Sequence, residues 1–157
     1  MATVEVTFTP LPVHVRTARL VATAVARRSG VAESLLDEVR LAVGEACSRA
    51  VEAHLRHCPA EPIRVALTDD GEQFEVVVTD AVPDAGHAGA AGDGHSAIPA
   101  AVPPGLDTSF AIVDGEAPLR LPDGVGLAVI AGLADDVRVA SAGPGTSVTM
   151  SWKHRTG

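Results

Sequence analysis

The sequence predicts a two-layer α+β sandwich, with helices on one face of a mixed, mostly antiparallel sheet and a long lid loop. Three observations lead there. Residues 35–58 carry an uninterrupted helical repeat. Four short runs alternate apolar and polar residues, paired around Asp69-Asp70-Gly71-Glu72 and around Gly143-Pro144-Gly145, a hairpin pattern. Between the two pairs, residues 83–120 are rich in Ala, Gly and Pro and offer little to pack.

Taken in order, residues 3–9 set Val4, Val6 and Phe8 against polar neighbours, giving a half-buried strand that Pro10 and Pro12 end. Residues 13–29 read as a helix with Ala18, Leu20, Val21 and Val25 inward and Gly30 as its stop. The helix at 35–58 follows, with Ser34 as N-cap and Pro59 as terminator. Leu36, Val39, Val43, Ala46, Ala50 and His54 recur at spacings of three and four and form its inward face. Glu38, Glu45, Arg49, Glu52 and Arg56 fall on the opposite face, which either meets water or lines a pocket. Glu45 stands four residues before Arg49, the favourable order for a helical ion pair, so the ordinary reading is a solvated row. Residues 63–68 and 74–79 are strands.

The lid, 83–120, contains His87 and His95, read as solvated side chains rather than metal ligands, and a short ordered piece at 109–113. Leu121 to Gly126 restore order and open a third helix, 127–133, apolar nearly all round and therefore buried. Residues 136–140 and 147–152 are strands, and 153–157 a frayed polar end.

Composition bounds the function. A chain of 157 residues suits one domain, 1–157, with a real core. With aromatics at 3%, that core is built from Ala, Val, Leu and Ile. A net charge of −8 argues against direct binding of nucleic acid. Cys47 and Cys58 fit neither a disulfide framework nor a zinc site, so reduced thiols in a cytoplasmic protein are the default. No apolar run is long enough to cross a membrane.

One local motif carries chemistry by itself. Gly124-Val125-Gly126-Leu127 stands where a helix starts after a loop, and the free N–H groups and dipole of such a start attract anions. With EACSRA on the long helix, Asp80 at a strand end, DGVGLAVI and the final GTSVTM strand, the chain resembles the anti-sigma-factor serine kinases from Val4 to Trp152. Their ATP-binding fold is shared with sensor histidine kinases, gyrase B and MutL. The resemblance implies a nucleotide lying between the central helix, the Asp80 strand end and the lid. It makes Glu45 the general base and Asp80 the acceptor for the adenine amino group. It places Gly124, Gly126 and Leu127 at the phosphates and Thr146 near the base.

Two boxes depart from the family pattern. Arg49 occupies the position of a magnesium-binding Asn; a guanidinium offers no acceptor and repels Mg²⁺, although it can touch a phosphate. Val82 and Asp84 stand where the Asp80 box carries glycines. The sequence therefore names no metal ligand and leaves ATP with a partly degenerate site. Three readings stay open. The leading one is a regulator that binds a sigma factor, an anti-anti-sigma protein, or both. The second is an active serine kinase acting on an anti-anti-sigma protein. The third is a nucleotide sensor without chemistry. The resemblance also suggests a homodimer, and it places the first helix on the partner-facing surface.

Overall fold

The computed structural model describes residues 2–82, 96–97, 125–143 and 145–154. The chain runs β1 (Ala2–Phe8), α1 (Pro12–Arg28), a single 3-10 turn (Glu33–Leu35), α2 (Leu36–His57), β2 (Ile63–Asp69), β3 (Gln73–Thr79), β4 (Ser96–Ala97), α3 (Val125–Leu133), β5 (Asp136–Ala142) and β6 (Gly145–Lys153). The strands form one sheet in the order β1-β2-β3-β6-β5-β4, and every described pairing is antiparallel. This is the predicted α+β architecture. The lid and its 109–113 piece lie outside the described residues, apart from the two residues of β4 that pair with Val139 and Arg138.

The period-2 pattern decides which sheet face is buried. Ile63, Val65 and Leu67 of β2, Phe74, Val76 and Val78 of β3, and Val148, Met150 and Trp152 of β6 all sit at 4% exposure or less. Register places Val78 opposite Val148, Val76 opposite Met150 and Phe74 opposite Trp152, so one continuous apolar surface forms. The helices close it. Leu36, Val39, Val43, Ala46, Ala50 and His54 are all buried, the inward face that the spacing predicts for α2.

Several local expectations give way to tertiary contacts. Ser34 does not cap α2: it lies in the 3-10 turn, and Leu35 precedes the helix without a side-chain cap bond. Leu20 is not inward. The buried residues of α1 are Val15, Ala18, Ala22 and Ala26, and Leu20, two steps or about 200° from Ala18, is 61% exposed. In α3, Leu127 and Ile130 are buried but Gly132 is exposed, so the helix is covered on one face rather than all round. Lys153 and His154 are not frayed. The Lys153 amide donates to Asp135 Oδ2, and the His154 ring meets Asp69 Oδ1 at 3.0 Å.

The turns follow their residues. After α1, Gly30 takes φ +88°, its amide donates to the Arg27 carbonyl, and the Val31 amide donates to the Ala26 carbonyl, a Schellman closure. In the β2–β3 hairpin, Asp70 Oδ1 accepts from the amides of Glu72 and Gln73, Asp69 Oδ1 accepts from that of Gly71, and Gly71 takes φ +89°.

Candidate functional site

The strongest local construction lies where β3 ends beside the start of β6. The Asp80 amide donates to the Thr146 carbonyl at 2.9 Å. Asp80 Oδ1 in turn accepts from the Thr146 amide at 3.2 Å and from the Val82 amide at 2.9 Å. One carboxylate oxygen thus caps the turn and ties it to β6, while Oδ2 accepts nothing among the described residues. The contact is tight because residue 145 is Gly. A Cβ there would overlap the Asp80 carbonyl and stand 2.8 Å from Ala81 Cα. Two residues far apart in sequence, Asp80 and Thr146, are therefore brought together.

Glu45 and Arg49 form a second group, one turn apart on α2. Both are half-buried, as are Glu38 and Glu52, while Arg56 is exposed. The row is therefore not simply a water-facing surface, and no ion pair closes between Glu45 and Arg49 among the described residues, contrary to the solvated-pair expectation. Burial holds the Glu45 carboxyl above its ordinary pKa of 4.5; the charge of Glu52 adds to this and that of Arg49 opposes it.

The two groups do not touch through any described contact. The row of α2 that holds His54 faces the sheet, and His54 Nε2 accepts from Ala81, next to Asp80. Glu45 lies nine residues earlier, half a turn round the helix and about 13 Å along its axis.

The third predicted element is partly described. Leu127 is buried at 6% exposure in α3, which packs on α2. The helix begins at Val125, earlier than expected, so Gly126 lies in its first turn, where amides lack intrahelical acceptors. Gly124 lies outside the described residues, as do Asp84, His87 and His95. Among the described residues no group of three or more His, Cys, Asp or Glu side chains could hold a metal ion. Sequence reasoning missed the roles of His54 and Gly145. The one signal was a histidine in an apolar face, which must find partners when buried.

Residues 8–152 match the family described as the histidine kinase-like ATPase domain, and the chain belongs to that family. No curated protein matches the chain significantly. Among the described residues, no helix is long and apolar enough to cross a membrane. Membership makes a nucleotide the ligand class of the fold. Among the described residues, the Asp80 carboxylate and the first-turn amides of α3 suit that class. Among the described residues, Arg49 supplies no acceptor at the position where the resemblance places a metal ligand.

Proposed function

We propose that the protein is an anti-sigma-factor-like regulator of the cytoplasm, binding a sigma factor, an anti-anti-sigma antagonist, or both, through an ATPase-type domain whose nucleotide site is partly degenerate. The observation that carries this reading is Arg49: a half-buried guanidinium beside Glu45, in a family domain that spans residues 8–152. Phosphoryl transfer rests mainly on positioning and metal charge. A domain that keeps the fold and the Asp80–Thr146 construction but replaces the metal ligand by a cation is suited to binding rather than to turnover. The outer stripe of α1 supports a protein partner. Val13 is 66% exposed and Leu20 61%, one heptad apart on a single helix face, with Leu11 at 47% just before the helix.

A second reading, an active serine kinase, is favoured by one observation, the raised proton affinity of Glu45. Thermal-shift titration with ATP, with and without Mg²⁺, separates the two. The regulator reading expects no Mg²⁺-dependent shift, together with saturable binding to at least one sigma factor or antagonist from the same genome. A strong Mg²⁺-dependent shift supports the kinase. Absence of binding to every candidate in that panel contradicts the regulator.

A further inference from the structure

His54 is a polar residue at the C-terminal end of an otherwise apolar, sheet-facing row, and it is fully buried. Both ring nitrogens are used. Nδ1 lies 2.9 Å from the carbonyl oxygen of Glu61, and Nε2 lies 2.9 Å from the amide nitrogen of Ala81. A carbonyl oxygen only accepts and a backbone N–H only donates, so the partners fix the proton inventory. Nδ1 carries the hydrogen, Nε2 offers its lone pair, and the ring is neutral.

The second bond falls at a consequential place. Three successive amides leave β3. That of Asp80 donates to the Thr146 carbonyl, that of Ala81 to His54 Nε2, and that of Val82 to Asp80 Oδ1. Only the middle one is held by a side chain from the helical layer. We propose that His54 is the positioning residue of the candidate site: a neutral imidazole that pins the exit turn of β3 to α2 and so fixes the Asp80 carboxylate against β6. The inference rests on the reading of Asp80 as the ligand-recognising carboxylate. Its first bond anchors the ring to the α2–β2 connection at Glu61, so the ring cannot turn without leaving a buried carbonyl unpaired.

The chemistry of the two nitrogens supplies the test. Gln at position 54 reaches with its Oε1 to where Nε2 accepts; Asn reaches with its Nδ2 to where Nδ1 donates. His54→Gln keeps the bond to Ala81, and His54→Asn keeps the bond to Glu61 and loses the one that matters. In the full chain, nitrogen NMR of the imidazole is expected to show the neutral Nδ1–H tautomer. Amide exchange of Ala81, Val82 and Thr146 is expected to rise about tenfold or more in His54→Asn, the ratio set by one lost hydrogen bond, and to stay near wild type in His54→Gln. Val65 and Val76 serve as references and stay unchanged. An Nε2–H tautomer, an imidazolium ring, or a parallel rise at all amides in both variants overturns the proposal and leaves His54 as a core filler. If His54→Asn fails to fold, the wild-type tautomer still decides. ATP affinity is measured on the same proteins: loss in His54→Asn with recovery in His54→Gln supports the proposal and the nucleotide reading together. A wild type that binds no ATP counts against the nucleotide reading alone, and the exchange data still judge His54.

Discussion

The carboxyl of Glu45 holds its proton more tightly than an ordinary glutamate because burial and Glu52 both disfavour its charge, and Arg49 compensates only in part. For an acid whose folded pKa is raised, the charged form is the destabilised one, so removing the charge at neutral pH relieves the fold rather than harming it. Glu45→Gln is therefore expected to leave stability unchanged or raise it by under about 1 kcal/mol, read from the urea midpoint. Val43, two residues earlier and fully buried, behaves oppositely. Val43→Asp places an unpaired charge against the sheet and is expected to cost more than about 3 kcal/mol. If Glu45→Gln unfolds the protein and Val43→Asp does not, the two faces of α2 have been assigned the wrong way round. In Cys47 desolvation pushes the thiol up to about 12 against the opposing charge of Arg19, which makes it inert at neutral pH.

At the scale of elements, the junction of β3 and β6 depends on a missing side chain. Gly145→Ala would drive a Cβ into the Asp80 backbone, where both neighbours are main chain and cannot swing away. The expected cost is about 1–3 kcal/mol, and the amides of Val82 and Thr146, both held by Asp80 Oδ1, should lose protection together. Wild-type exchange at those amides in Gly145→Ala would show that the close approach is not what fixes Asp80. Helix α1 supplies a contrasting case. Leu20 is exposed, so Leu20→Asp is expected to shift stability by no more than about 0.5 kcal/mol. If the stripe of Val13 and Leu20 meets the partner, the same substitution should weaken binding at least tenfold, by about 1.4 kcal/mol, in a titration with the partner. Unchanged affinity would remove α1 from the interface.

A clamp joins the residue after β6 to the β2–β3 hairpin, two stretches of the chain far apart in sequence. His154 hydrogen-bonds Asp69, the His154 amide donates to Glu72, and Asp69 and Asp70 both accept backbone amides in the turn. The bond from His154, then that from Gly71, holds the Asp69 carboxyl below 3.8; two backbone bonds do the same for Asp70. Their folded pKa values are depressed, so their stabilisation is present above 3.8 and is lost as pH falls through the folded values. The double variant Asp69→Asn, Asp70→Asn should flatten the loss of stability between about pH 5 and about pH 2, and an unchanged acid limb would place the titrating groups elsewhere. Much of this architecture was legible in the sequence. The inward row of α2 and the alternating strands could be read because periodicity reports burial directly. Ser34 and Leu20 were misread because a tertiary contact or a shifted face overrules a local rule. His54 and Gly145 were not legible as site residues, since their roles depend on Ala81 and Asp80, which are near them only in space. Pairing Asp80 with Thr146 required the family resemblance, because neither residue announces the other. On the proposed reading, the domain regulates by binding and Arg49 removes magnesium chemistry. At about 4 Å and an effective dielectric of about 20, one positive charge beside a divalent ion costs several kcal/mol. The direct measurement is transfer of labelled phosphate from ATP to a panel of anti-anti-sigma proteins, with and without Mg²⁺, by wild type and Arg49→Asn. Wild type is expected to show no magnesium-dependent transfer and Arg49→Asn to bind Mg²⁺-ATP better; robust magnesium-dependent transfer by the wild type would contradict the proposed function.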